Sequence, residues 1–147
     1  MTLYSFFLHL HSGLRYIVLL LVLLAIVRAW LGWLGKVSYS ESHRKLNLFA
    51  LISVHTQLLI GFVLYFVSPF VTFGSNTMKD ATTRYWTVEH LTGMLIAIIF
   101  VTVGHARSKR GAASAAKHKS IAIFYTLALI IITVVIILSK RALLGMS

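Results

Sequence analysis

Five of the seven histidines in this chain stand inside apolar runs: His9, His11, His55, His90 and His105. A neutral imidazole is a good transition-metal ligand and needs no compensating charge. Polar side chains are expensive inside a membrane-length apolar segment, and there they tend to mark a working site. The richest stretch is Trp86-Thr-Val-Glu-His-Leu-Thr-Gly-Met94, where Glu89 precedes His90 and Gly93 follows three positions later. There is no cysteine, so thiol chemistry, disulfides and iron–sulfur ligation are excluded.

The elements that must position these side chains are long and apolar. The chain is 59% hydrophobic, with a mean hydropathy of +0.88, well above an ordinary globular domain. A bilayer core takes roughly 20 apolar residues as helix. Four such runs are present, at about 4–33, 45–67, 85–106 and 121–138. They predict one all-α domain over 1–147, an integral membrane four-helix bundle running up-down-up-down. The first run lacks the basic start and small-residue cleavage site of a signal peptide. Ser42 and Ser120 are candidate caps of the second and fourth runs, and Ser68-Pro69 ends the second.

The net charge is +11. In a soluble protein this would raise nucleic acid as a partner. Here the charge sits in short loops, where topology and anionic lipid headgroups account for it. Nine basic residues flank the first–second and third–fourth connections, against Lys79, Arg84, Lys140 and Arg141 on the other side. The excess predicts both termini outside the cytoplasm; Lys140-Arg141 speaks mildly against it.

Depth pairs the histidines. At 1.5 Å per residue, His11 lies about 10 Å below the start of its run and His90 about 7–8 Å below the start of its own. Odd-numbered helices start on the same side, so these two imidazoles are level. Antiparallel bundles build cofactor sites from facing side chains at matched depth, and two level imidazoles suit six-coordinate haem iron. His55 and His105 differ in depth by about 9–10 Å and reach a common second centre only if the helices shift or tilt. The alternative for each histidine is an interfacial residue bonded to a carbonyl or water. His9 points to the other side of the helix from His11. His43 and His118, in basic loops, are expected to be solvated.

Other residues fit around such a site. Gly13 and Gly93 leave room for a flat ligand, or for a neighbouring helix. Glu89 is a candidate acceptor for a ligand's second ring nitrogen, a partner for Arg15, or a proton acceptor from a quinol. Arg15 shares the face of His11 one turn on, where it could balance a haem propionate. Gln57 and Ser53 flank His55 and could bond a quinone or orient the ring. Phe70, Phe73, Tyr85 and Trp86 suit an interfacial aromatic belt. The fourth run holds no ionisable side chain and is assigned a structural role.

Several motifs together resemble a family of small bacterial four-helix membrane proteins described as cytochrome b-like, and the general plan is similar to the cytochrome b561 class. They are His11-Ser-Gly-Leu-Arg15-Tyr16, His55-Thr-Gln-Leu-Leu-Ile-Gly61, Arg84-Tyr-Trp86 with Glu89-His90, and Ser108-Lys-Arg110. The resemblance implies one or two b-type haems, bis-histidine ligation, and electron transfer in the bacterial inner membrane near the quinone pool. Two other functions compete with it. One is a non-catalytic anchor or assembly subunit that binds other membrane subunits. The other is a quinone- or proton-handling enzyme using Glu89, His55 and Arg15.

Overall fold

The computed structural model describes residues 2–139; Lys140 and Arg141, used above for topology, lie outside the described residues. The described residues form an all-α fold. Helix α1 runs Leu3–Leu34, α2 Glu41–Val67, α3 Ala81–Arg84, α4 His90–Arg110 and α5 Ser114–Leu138. A π-helical turn, Tyr85–Glu89, joins α3 to α4, so the third long helix is continuous over Ala81–Arg110. All four long helices are long and apolar enough to cross a membrane.

Three of the long helices begin earlier than their apolar runs suggest, the third at Ala81. The cap of α2 is Ser40, whose side chain joins a capping box with His43, and α5 starts at Ser114 after Ala113. Ser42 and Ser120 therefore sit inside helices, Ser42 accepting a 2.9 Å hydrogen bond from Arg28. Hydropathy marks only the apolar middle of a helix, whereas Lys, Arg and Glu have good helix propensity and extend its polar ends. Within the first turn of α2, Glu41 pairs with Arg44. Asp80 caps α3 by accepting from Thr83 N–H at 2.9 Å, and the Thr83 bonds hold its carboxyl below the usual carboxylate range.

Helix α5, given a structural role above, is the hub of the bundle. It packs along both α1 and α4, while α2 leans mainly on α1 and touches α4 only sparsely. The order round the bundle is α2, α1, α5, α4, with a loose seam closing the ring. The tight seams use small residues. Ala25, Ala29, Ala97, Ala122 and Ala128 are all buried. Gly93 lies against Val135, and a Cβ on Gly104 would come 2.5 Å from Phe124 Cβ. Small side chains let helix backbones approach and gain dispersion contacts where no hydrophobic force separates protein from lipid.

The outward faces carry large apolar side chains such as Leu20, Leu59, Phe66, Ile99 and Ile130. No helix buries more than 39% of its most apolar stretch. An exterior of this kind matches hydrocarbon as solvent, because helices satisfy their own backbone polar groups there. Four candidate spans of this character suggest a multi-pass membrane protein.

The first–second and fourth–fifth helix connections meet at one end of the bundle, here called the hairpin end. There Tyr39 N–H donates to Ser114 Oγ at 2.9 Å, and Tyr125 donates to the Asn47 carbonyl at 2.9 Å. His43 and His118 are not solvated. Both are buried, His118 to 1% exposure, with their rings 4.8 Å apart. His118 meets the Val37 carbonyl at 2.9 Å and fills the space left by Gly32. Because α5 starts before His118, the ring projects from a helix into α1 instead of from a loop into water.

Candidate functional site

The start of α1, the end of α2 and the start of the third long helix meet at the opposite, terminal end. A cavity of ≈ 170 Å³ lies there, lined from all four long helices. Its polar groups come from His11, Ser12 and Arg15 on α1, Gln57 and Tyr65 on α2, and Tyr85 and His90 beside the π turn. It bridges the loose α2–α4 seam, where close packing is already interrupted.

The two histidines expected to be level face each other. The ring centres of His11 and His90 are 6.4 Å apart at an interplanar angle of 66°. Two imidazoles on opposite sides of one metal, at nitrogen–metal distances of about 2.0–2.1 Å, have their ring centres about 6–6.5 Å apart. Rotation about the shared axis leaves the interplanar angle free. The spacing suits bridging through one atom and is too long for a direct hydrogen bond.

Each ring is held from behind. His11 rests on α2: a Cβ at Gly61 would come 3.1 Å from His11 Cε1 and 3.6 Å from Nδ1, so glycine is what lets the ring lie against that backbone. Gln57 Nε2 donates to the His11 carbonyl at 2.8 Å. His11 Nδ1 and Gln57 Oε1 are buried with no hydrogen-bond partner among the described residues. Such groups are costly in an apolar site unless a ligand or water meets them. His90 Nδ1 lies 3.3 Å from Tyr85 Oη, and the Trp86 ring packs on it with centroids 5.3 Å apart.

The π turn makes the second arrangement. His90 N–H bonds to the Tyr85 carbonyl, an i to i+5 link that brings residues five apart onto one face. π turns recur at functional sites. This one is braced on both sides: Tyr65 Oη donates to the Thr87 carbonyl at 2.7 Å, and Thr72 N–H donates to Thr87 Oγ1 at 3.1 Å. The long connection after α2 is thereby tied to the cavity, and Phe70 and Val71 from it form part of the wall.

Of the residues singled out from sequence, His11, His90, Arg15 and Gln57 line the cavity; Gly13, Gly93, His55, His105, Ser53 and Glu89 are not among its lining. Gly13 faces open space. Ser53 donates to the Ala50 carbonyl at 2.8 Å. Exposed His55 meets Thr102 Oγ1 through Nε2 at 2.9 Å, while His105 is buried at 6% exposure with Nδ1 unpartnered among the described residues. Glu89 pairs with Arg84 at 2.8 Å rather than with Arg15 or a ligand nitrogen. Both side chains are about two-fifths exposed, so this pair is worth little in stability.

Gly61 and Tyr85 are the site residues that periodicity did not single out. The motif His55…Gly61 contains the first, but its role emerges only when α2 docks on His11. Tyr85 belonged to the aromatic belt, and nothing in an α-helical reading aligns it with His90.

No group of three or more His, Asp or Glu side chains converges on a common point among the described residues. Two imidazoles alone suit a metal that brings its own equatorial ligands, as a porphyrin does. The donor pair therefore fits a haem, while the volume is small, since small-molecule sites span roughly 300–1,000 Å³. The half-buried Leu58, Leu64, Leu91 and Met94 line the cavity from the two helices of the loose seam.

Comparison with family models, with curated proteins and with solved structures finds no match for this chain.

Proposed function

We propose that the protein is a haem b carrier that passes electrons within the bacterial inner membrane, in which His11 and His90 would hold the iron. The observation that carries this reading is the 6.4 Å separation of the two rings across a cavity. A haem held there supplies one-electron iron chemistry. The chain's own residues do the rest. Gly61 and the Tyr85–Trp86 pair fix the imidazoles, and Arg15, in the lining, offers a cation for a propionate. The apolar lining excludes water and so favours the less charged state of a bound centre. The cavity's position at one end of the bundle suits exchange with a quinone dissolved in the bilayer. One histidine pair meets at this cavity, which supports one haem there.

The test is an absorption spectrum of the protein purified in detergent, with a pyridine haemochrome assay. A Soret band with sharpened α and β bands on reduction is expected. A folded, colourless protein that takes up no added haem would refute the proposal. Gly61→Leu is expected to push the His11 ring from its seat and lower haem affinity by about ten- to a hundredfold, the range for lost support of a metal ligand. Circular dichroism should remain helical, since the cavity can take the added side chain. Gly13→Leu, which meets open space, should leave haem binding unchanged.

A further inference from the structure

We infer that Tyr85 is a positioning residue that fixes the tautomer of His90, leaving the lone pair on Nε2; the inference deepens the proposed haem site and rests on that reading for its purpose. A phenol has one proton to donate. Tyr85 Oη donates it to the Val135 carbonyl at 2.6 Å, which is acceptor-only. Toward His90 Nδ1, 3.3 Å away, the same oxygen can then act only as an acceptor. A hydrogen bond between them requires the proton on Nδ1. In a neutral imidazole one nitrogen carries the proton and the other the lone pair, so Nε2 is the basic atom.

The arrangement is enforced by the fold at three points. Tyr85 is 6% exposed, so water does not compete freely for its oxygen. The π turn places Tyr85 and His90 five residues apart on one face, with a backbone bond between the same two residues. The Val135 carbonyl comes from α5, whose side chain also packs over Gly93 one turn along α4 from His90. Helix α5, which contributes no acidic, basic or histidine side chain in its apolar run, thus acts on the site through a backbone oxygen. A histidine that binds a metal usually donates its other N–H to an acceptor that sets its orientation and raises its basicity. Here the acceptor is a phenol oxygen whose own proton is committed elsewhere.

The test reads the tautomer directly, in the protein without haem. Protein labelled with ¹⁵N-histidine in detergent, above the titration range of histidine, gives long-range proton–nitrogen correlations that separate protonated from lone-pair ring nitrogens. His90 is assigned by comparison with His90→Gln. Wild type should show a protonated Nδ1 and a lone-pair Nε2. Tyr85→Phe should move His90 toward the Nε2-protonated form, with His55 and His105 unchanged. A wild-type His90 protonated at Nε2, or a folded Tyr85→Phe with an unaltered His90 pattern, would overturn the inference. Should Tyr85→Phe not fold, the wild-type pattern alone decides it. If the protein also binds haem, Tyr85→Phe should weaken binding about ten- to a hundredfold and shift the midpoint potential. If it never binds haem, the proposed function fails while the tautomer result stands by itself.

Discussion

His11→Ala and His90→Ala should each abolish the haem spectrum, whereas His55→Ala, His105→Ala and Glu89→Gln should keep it. The reason is geometric. Among the described residues the cavity offers two imidazoles and no third His, Asp or Glu side chain, so a bis-imidazole centre cannot survive the loss of either. His55 is engaged with Thr102, and Glu89 with Arg84; neither lines the cavity. The fold should persist in both alanine variants, because each removes a ring that borders a void rather than one at the centre of packing. Glycine in place of either histidine leaves a ring-shaped space, so added imidazole should restore part of the spectrum. The measurement is the reduced-minus-oxidised spectrum of each variant at equal protein concentration. Retention of normal bands in both alanine variants would show that the ligand pair is wrong.

Gly32→Leu should lower stability strongly without touching the spectrum. A Cβ at Gly32 would come within 2.5–2.7 Å of the His118 Cε1, Nε2 and Nδ1 atoms. That ring is 1% exposed and is walled in by the Tyr39 and His43 rings, with centroids 5.2 and 4.8 Å away. It has no direction in which to yield cheaply. Overpacking of this kind costs about 1–3 kcal/mol. Displacing the ring also breaks its 2.9 Å bond to the Val37 carbonyl, a net loss of about 0.5–1.5 kcal/mol. Thermal or denaturant unfolding in detergent measures the loss. The double variant Gly32→Leu, His118→Ala should recover part of it, since it removes the clash and leaves only the missing hydrogen bond; neighbouring sites that share a partner couple in this way. Simple additivity of the two changes would place the cause elsewhere.

The spans and the depth of His11 and His90 were legible in sequence because each depends on one helix at a time. Apolar run length reports a helix, and residue count along it reports height. Level height became a facing pair because both rings also happen to point inward, which height does not contain. For His55 the same count could not show that the side chain turns outward to Thr102. The solvated reading of His43 and His118 failed for a related reason. Local charge suggested a loop in water, but Gly32 on α1, some eighty residues away, supplies the space that buries His118.

What the sequence determined alone is the class of molecule: four long apolar helices, no thiol chemistry, and histidines among the polar groups inside them. Composition and periodicity are sums over neighbouring residues, and these properties need nothing more. The tertiary structure decided who meets whom. It placed His11 against Gly61, routed the Tyr85 proton to Val135 on α5, and gave Glu89 to Arg84. Each of these depends on the rotation of one helix about its axis relative to another. A π turn changes that rotation by inserting one residue into the spiral, and residue spacing read at 3.6 per turn does not register it.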